Sequence, residues 1–348
     1  MENRHALKAQ INKLNGLMRD FASQPVHAEM TALFAPDCSV QLAYPFEEMD
    51  GPTTFFEDAL TPLSKAFPDL EKRPFITLAD KSLGADWVGT AGHYVGTFTT
   101  PFLDIPPTGH MASMRFHEFY RFEAGKIVEV QALWDIPELM MHAGAWPLSP
   151  ALGKSLMVTG PALQDGLSIQ SDGAAHDARS VQIITDMLQA LGNHKTGGPS
   201  AMELDKYWHP HFSWYGPEGI GSMRGISGFR NWHQIPFLQG MPDRGRYPDA
   251  PVYSLGEGDY VGLTGWPNMQ MTLSDDGFLG IAPAGQKLTL RSLDFWRVEN
   301  GLIRENWVLV DLLSAYAQLG VDVLARMRAL TSANPFGPNR SYFETEIT

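Results

Sequence analysis

The chain has 348 residues, 44% hydrophobic and 11% aromatic, which is ample for two cores and more than one compact domain usually needs. Its formal charge of −13, from 39 acidic and 26 basic side chains, is scattered without a basic run and so excludes the cationic footprint of a nucleic-acid binder. No apolar stretch approaches a membrane span, residues 1–8 lack the apolar core of a signal peptide, and Cys38 is the single cysteine, so a cytoplasmic protein is expected.

Taken in order, residues 6–34 carry a helical pattern interrupted at Gln24-Pro25, and residues 87–98, 111–122 and 127–134 read as strands. Glu123-Ala124-Gly125-Lys126 supplies a hairpin turn, and residues 135–144 read as a short helix opened by an Asp and closed near a Gly. Residues 145–173, rich in Pro, Gly and Ser, read as a linker. The same succession then returns: a helical pattern over 176–208 broken at Gly197-Gly198-Pro199, strands over 260–272, 288–298 and 302–310, a turn at Glu299-Asn300-Gly301, and a helix over 311–320.

The return is an internal repeat. A shift of 176 lays residues 105–135 on 281–311 without a gap, with 12 identities in 31 positions where unrelated sequence gives about two. Arg115, Phe119, Arg121, Glu129 and Asp135 face Arg291, Phe295, Arg297, Glu305 and Asp311. Upstream the offset falls to 173 and 174, and the pairing continues through Gly89/Gly262 and Asp69/Asp243. Units this large own their cores, so a duplicated domain is expected, with copies over 1–150 and 174–330. Helices followed by an antiparallel meander give an α+β fold in which each sheet curls around helices and encloses a pocket.

The second copy, with Asp294-Phe295-Trp296-Arg297, a Glu-Asn-Gly turn and Ile303-Arg304-Glu305-Asn306-Trp307-Val308-Leu309-Val310-Asp311, resembles the SnoaL-like polyketide cyclases of the nuclear transport factor 2-like superfamily. Trp214-Tyr215-Gly216-Pro217 and Gly262-Leu263-Thr264-Gly265-Trp266 follow the same pattern, and the first copy keeps the frame but carries Gln131 for Trp307 and Ala59 for His233. The resemblance implies two cone-shaped domains packed as an intramolecular pseudo-dimer, with further self-association open. It also implies a cofactor-free intramolecular aldol closure in which a pocket Asp serves as acid and base.

Strand alternation places Asp294 in an apolar stripe with Leu290, Ser292, Trp296 and Val298, and Glu118 with Met114, Phe116, Tyr120 and Phe122. Burial raises a carboxyl pKa and makes a base near neutrality, unless an Arg or a hydroxyl satisfies the group. Asp311 and Asp135, ending the last strands, are the other acid/base candidates, with helix N-capping as the plain alternative. His233 and His93 are candidate proton shuttles or hydrogen-bond donors, and Tyr215, Trp266, Trp296 and Trp307, with Tyr120 and Gln131 in the first copy, are expected to wall a cavity for an apolar ligand. The arginines at 115, 121, 291 and 297 alternate onto the opposite face and are expected to pair with acids. His209-Pro210-His211 lacks a third ligand, and no phosphate loop, nucleophile elbow or metal cluster stands out, so neither metal nor cofactor is expected. The leading reading is an acid/base enzyme on an apolar carbonyl compound, by aldol cyclisation or a related isomerisation or hydrolysis. The competing reading is a protein of the same fold that binds a small molecule and does no chemistry.

Overall fold

The computed structural model describes residues 2–333. Helix Glu2–Leu17 presents Leu7, Ile11 and Leu14 along one side, with Met18 just past its end, and Ala174–Leu191 presents Ser180, Ile184, Met187 and Leu191, the spacing that buries one helical stripe. The interruption in the first copy falls at residues 18–22, ahead of helix Ser23–Leu33. Pro25 sits in that helix's first turn, where a missing N–H costs no bond.

The first sheet contains β1 (Phe34–Leu42), β2 (Glu47–Asp50), β3 (Glu71–Ser82), β4 (Ala85–Thr97), β5 (Met111–Glu123) and β6 (Lys126–Trp134), in the order β2-β1-β6-β5-β4-β3. The second copy contains β7 (Trp208–Tyr215), β8 (Met223–Arg224), β9 (Gly245–Arg246), β10 (Tyr253–Glu257), β11 (Tyr260–Thr264), β12 (Met269–Thr272), β13 (Lys287–Leu290), β14 (Ser292–Glu299) and β15 (Leu302–Val310). Its large sheet repeats the first topology as β10-β11-β14-β15-β7-β8. The sheets are mixed rather than purely antiparallel, because β1 and β7, absent from the sequence expectation, pair in parallel with β6 and β15. Short helices Ile136–His142 and Leu312–Gln318 follow the last strands.

The copies differ in one respect that shapes everything inside them. β4 and β5 of the first copy pair without interruption from Asp86↔Phe122 to Thr97↔Met111. In the second copy the equivalent ladder runs to Leu263↔Asp294, breaks, and resumes at Met269↔Leu290 in the separate sheet β13-β12-β9. Asn268 bridges the break, its amide donating to the Ser292 carbonyl at 2.8 Å and accepting the Ser292 N–H at 3.1 Å.

The outer faces of the two sheets pack on each other. Ile76, Leu78, Trp87, Ala91, Phe119 and Leu133 meet Leu255, Tyr260, Leu293, Phe295, Trp307 and Leu309 in one apolar core. Around it, polar contacts come in pairs related by the repeat. Asp135 accepts from the Glu218 N–H at 2.9 Å and Asp311 from the Tyr44 N–H at 3.0 Å, and Tyr44 and Glu218 are equivalent at the offset of 174. Arg115 donates to the carbonyls of Tyr215, Gly216 and Val308, while Arg291 bonds Glu47 and Asp311. The linker lies along this seam: the carbonyls of Val158 and Thr159 accept from His93 and Trp307, and the Ala162 N–H meets both oxygens of Glu305.

Candidate functional site

Inside the first copy, Glu118 is fully partnered. It pairs with the Lys72 ammonium at 2.6 Å and accepts from Tyr94 at 2.9 Å, Trp134 at 3.1 Å and the Tyr120 hydroxyl. Burial pushes its pKa up, but Lys72 and these donors outweigh burial and hold the carboxylate below its ordinary range. Phe116, Tyr94 and Trp134 fill the remaining space, with ring centroids 5.0 and 5.3 Å apart. Expected as a catalytic and a ligand residue, Glu118 and Tyr120 are core.

At the offset of 176 Phe116 and Trp134 become Ser292 and Val310, and Tyr94, opposite Met114 as Met269 is opposite Leu290, becomes Met269. Less bulk and the broken sheet leave a cavity of about 510 Å³ in the second copy, within the range of small-molecule sites. Asp294, Ser292, Trp296, Asn306, Trp214 and His233 line it, with apolar walls from Phe229, Phe237, Leu263 and Val308. Asp294 accepts from the Ser292 hydroxyl at 2.9 and 3.0 Å, and no cation among the described residues touches it. Asp294 is half-buried and lines the cavity. Burial lifts its pKa to about 7 against the smaller lowering effects of Ser292 and Arg244. His233 stacks on Trp214 at 4.2 Å and 19°, and burial, with Arg244 nearby, pushes it down to about 3 so that the ring is neutral.

The other sequence candidates sit elsewhere. Asp311 caps helix Leu312–Gln318, accepting the Ser314 N–H at 3.0 Å, and bonds Tyr44 and Arg291, so its lone pairs are used although burial raises its pKa. Asp135 is buried against Arg115 and the Glu218 N–H, and burial raises its pKa with Glu138 and Glu218 adding to the rise. Neither lines the cavity. Tyr215, Trp266 and Trp307 do not wall it either: Tyr215 and Trp307 lie on the outer face with Glu305, their rings 5.6 Å apart, and Trp266 lies under the Arg291 guanidinium at 4.6 Å. Side-chain parity along β15 sends Asn306, Val308 and Val310 inward and Trp307 outward, so aromatic size was a poor guide to face. His93 bonds the Val158 carbonyl at 2.7 Å, and Gln131 joins Thr264 at 2.5 Å across the seam and Glu129 at 2.8 Å within β6. The arginines pair as expected, with Arg297 on Glu305 and Arg121 on Glu129, both at 2.6 Å.

The sequence reading missed Arg244, which reaches the cavity beside Phe237. The signal was available, because the first copy has the buried Leu70 at the equivalent position, 174 residues earlier.

The family model for SnoaL-like polyketide cyclase matches residues 12–142 and again residues 187–319. The chain belongs to this family, twice over. The two tandem domains have the nuclear transport factor 2-like fold. Among solved structures the chain is similar to IdmH from Streptomyces antibioticus, at 20% identity and a TM-score of 0.34 over 40% of this chain and 98% of that one. It is also similar to a SnoaL-like polyketide cyclase from Agrobacterium tumefaciens, at 19% and 0.32 over 39% and 96%. An NTF2-like protein from Burkholderia thailandensis matches at 17% and 0.30 over 39% and 95%. No curated protein matches. No described helix is long and apolar enough to cross a membrane.

Proposed function

We propose that the second copy is an acid/base enzyme acting on an apolar small molecule that carries carbonyl groups, by the aldol cyclisation associated with this family. One observation carries the reading: Asp294 opens onto the cavity, unpaired by any cation among the described residues, with a pKa near neutrality, as a group that must first take and then return a proton requires. The Asp294 carboxylate removes a proton from the carbon beside a carbonyl, and the enolate carbon adds to a second carbonyl of the same molecule. As the new carbon–carbon bond forms, the protonated Asp294 gives its proton to the alkoxide, so nothing is lost or consumed. Isomerisation uses the same two proton transfers without ring closure.

Neutral His233 serves as a hydrogen-bonding group at the cavity wall, and Trp296 supplies a flat apolar surface. The first copy is the structural partner. A cytoplasmic setting agrees with the single buried Cys38.

Deuterium uptake from heavy water at the enolisable carbon of 2-tetralone, followed by NMR, tests this. Uptake accelerated by the wild type and lost in Asp294→Asn supports it. Binding of the ketone with no accelerated uptake turns the assignment to a binding protein. Native mass spectrometry of the purified protein identifies any retained ligand in either case.

A further inference from the structure

The cavity reverses the charge balance of the chain around it. The sequence has 39 acids against 26 bases, yet among the described residues the cavity is lined by two arginines, Arg244 and Arg246, and a single acid, Asp294. Arg244 occupies a position that the first copy gives to a buried leucine. Its guanidinium lies against the Phe237 ring, 5.5 Å from the centroid, and makes no hydrogen bond or ion pair among the described residues; Asp294 acts on it only across open space.

A guanidinium presents five donors in a planar fork. Arg244 is half-buried, so part of its fork has lost water without gaining an acceptor among the described residues. A fork that lines the cavity without an acceptor leaves its donors for a ligand. The apolar walls favour a flat carbon skeleton, and the fork favours an oxygen bearing negative charge.

We propose that Arg244 is a ligand-binding residue that selects apolar molecules carrying an anionic oxygen, a carboxylate or an acidic enol, and holds that oxygen across the cavity from Asp294. The proposal rests on the second-copy cavity being the working site. It adds a chemical class to that site, and with it a consequence for the proton. An anion seated on Arg244 removes the neighbour that stabilises ionised Asp294, so ligand binding favours the protonated acid.

Two pairs of probes test it at pH 8: 2-naphthoate against its methyl ester, and the 4-hydroxycoumarin anion against 4-methoxycoumarin, with affinities from calorimetry. In the wild type one or both anions bind about tenfold or more tighter than the neutral partner, the increment of a hydrogen-bonded charge. Arg244→Leu abolishes the preference while leaving the neutral partner's affinity unchanged, and Arg244→Lys keeps part of it. Preference confined to the first pair assigns a carboxylate, and to the second an enolate. Equal binding within both pairs, no measurable binding by either anion, or a preference that survives Arg244→Leu overturns the proposal. If Arg244→Leu does not fold, the wild-type comparison and Arg244→Lys decide. Asp294→Asn separates the two readings, since it removes proton exchange without erasing a charge preference that belongs to Arg244.

Discussion

The rings of Phe119 and Phe295 stack with centroids 5.0 Å apart and planes 21° from parallel. The two residues are equivalent at the offset of 176, so the stack lies on the pseudo-twofold axis that relates the copies. The Phe119 ring needs glycine beside it: a Cβ on Gly89 would stand 2.7 Å from Phe119 Cε1, and one on Gly262 would stand 3.2 Å away. Gly89→Ala is therefore expected to cost about 1–3 kcal/mol through overpacking, and Gly262→Ala less. Urea unfolding of both variants checks the order, and the reverse order contradicts this packing.

Asp294→Asn keeps the shape of the side chain and removes its titration. Turnover of a proton-transfer substrate falls by about a hundredfold to ten-thousandfold while ligand binding persists. With a pKa of about 7, wild-type kcat/KM rises with pH through neutrality and then levels. The residual activity of the variant lacks that inflection.

The same carboxyl governs stability with a definite sign. Its folded pKa of about 7 lies above the ordinary 3.8, so between those values the folded state holds a proton that the unfolded chain has released. Stability from this group thus declines as pH rises from about 4 to 7. Asp294→Asn melts above the wild type at pH 8, and scanning calorimetry finds the gain shrinking toward pH 4. A variant that melts lower at pH 8 removes the claim that ionised Asp294 is a burden on the fold.

Asp311 separates structure from chemistry. Asp311→Ala loses the helix cap, leaves the Tyr44 N–H without its acceptor and leaves Arg291 with Glu47 alone, a loss of about 2–4 kcal/mol. Turnover per folded molecule is unchanged, as read by active-site titration alongside chemical denaturation. Intact stability with abolished turnover instead transfers the acid/base role from Asp294 to Asp311.

Lys72 and Glu118 form a buried pair, 2% and 1% exposed at their side chains. Lys72→Met strands the carboxylate and costs about 3–5 kcal/mol. Adding Glu118→Leu to the same chain restores most of the loss, because an apolar pair suits that interior. Equal destabilisation by the single and double variants in equilibrium unfolding shows instead that the site needs the charges.

The duplication was legible because β5 and β6 recur without a gap, and the inward stripe of Asp294 was legible because a strand alternates. β3 and β10 were not. Glu71–Ser82 mixes Lys, Arg and Pro with its apolar residues, and its burial comes from neighbours far away in sequence. The cavity was written in the differences between copies, where Phe116, Trp134 and Leu70 give way to Ser292, Val310 and Arg244. Reading the copies only for their identities passed over those positions. Trp266 and Trp307 misled because an aromatic serves a sheet-to-sheet seam as well as a ligand wall.

The filled interior of the first copy has a consequence for how such a chain changes over time. A symmetric dimer receives every substitution twice, so a change that widens one cavity weakens both halves, and dilution can separate them. Here the halves share one chain, and each position is altered singly. The first half is dense and ion-paired, and a substitution at the second half's cavity leaves that packing untouched.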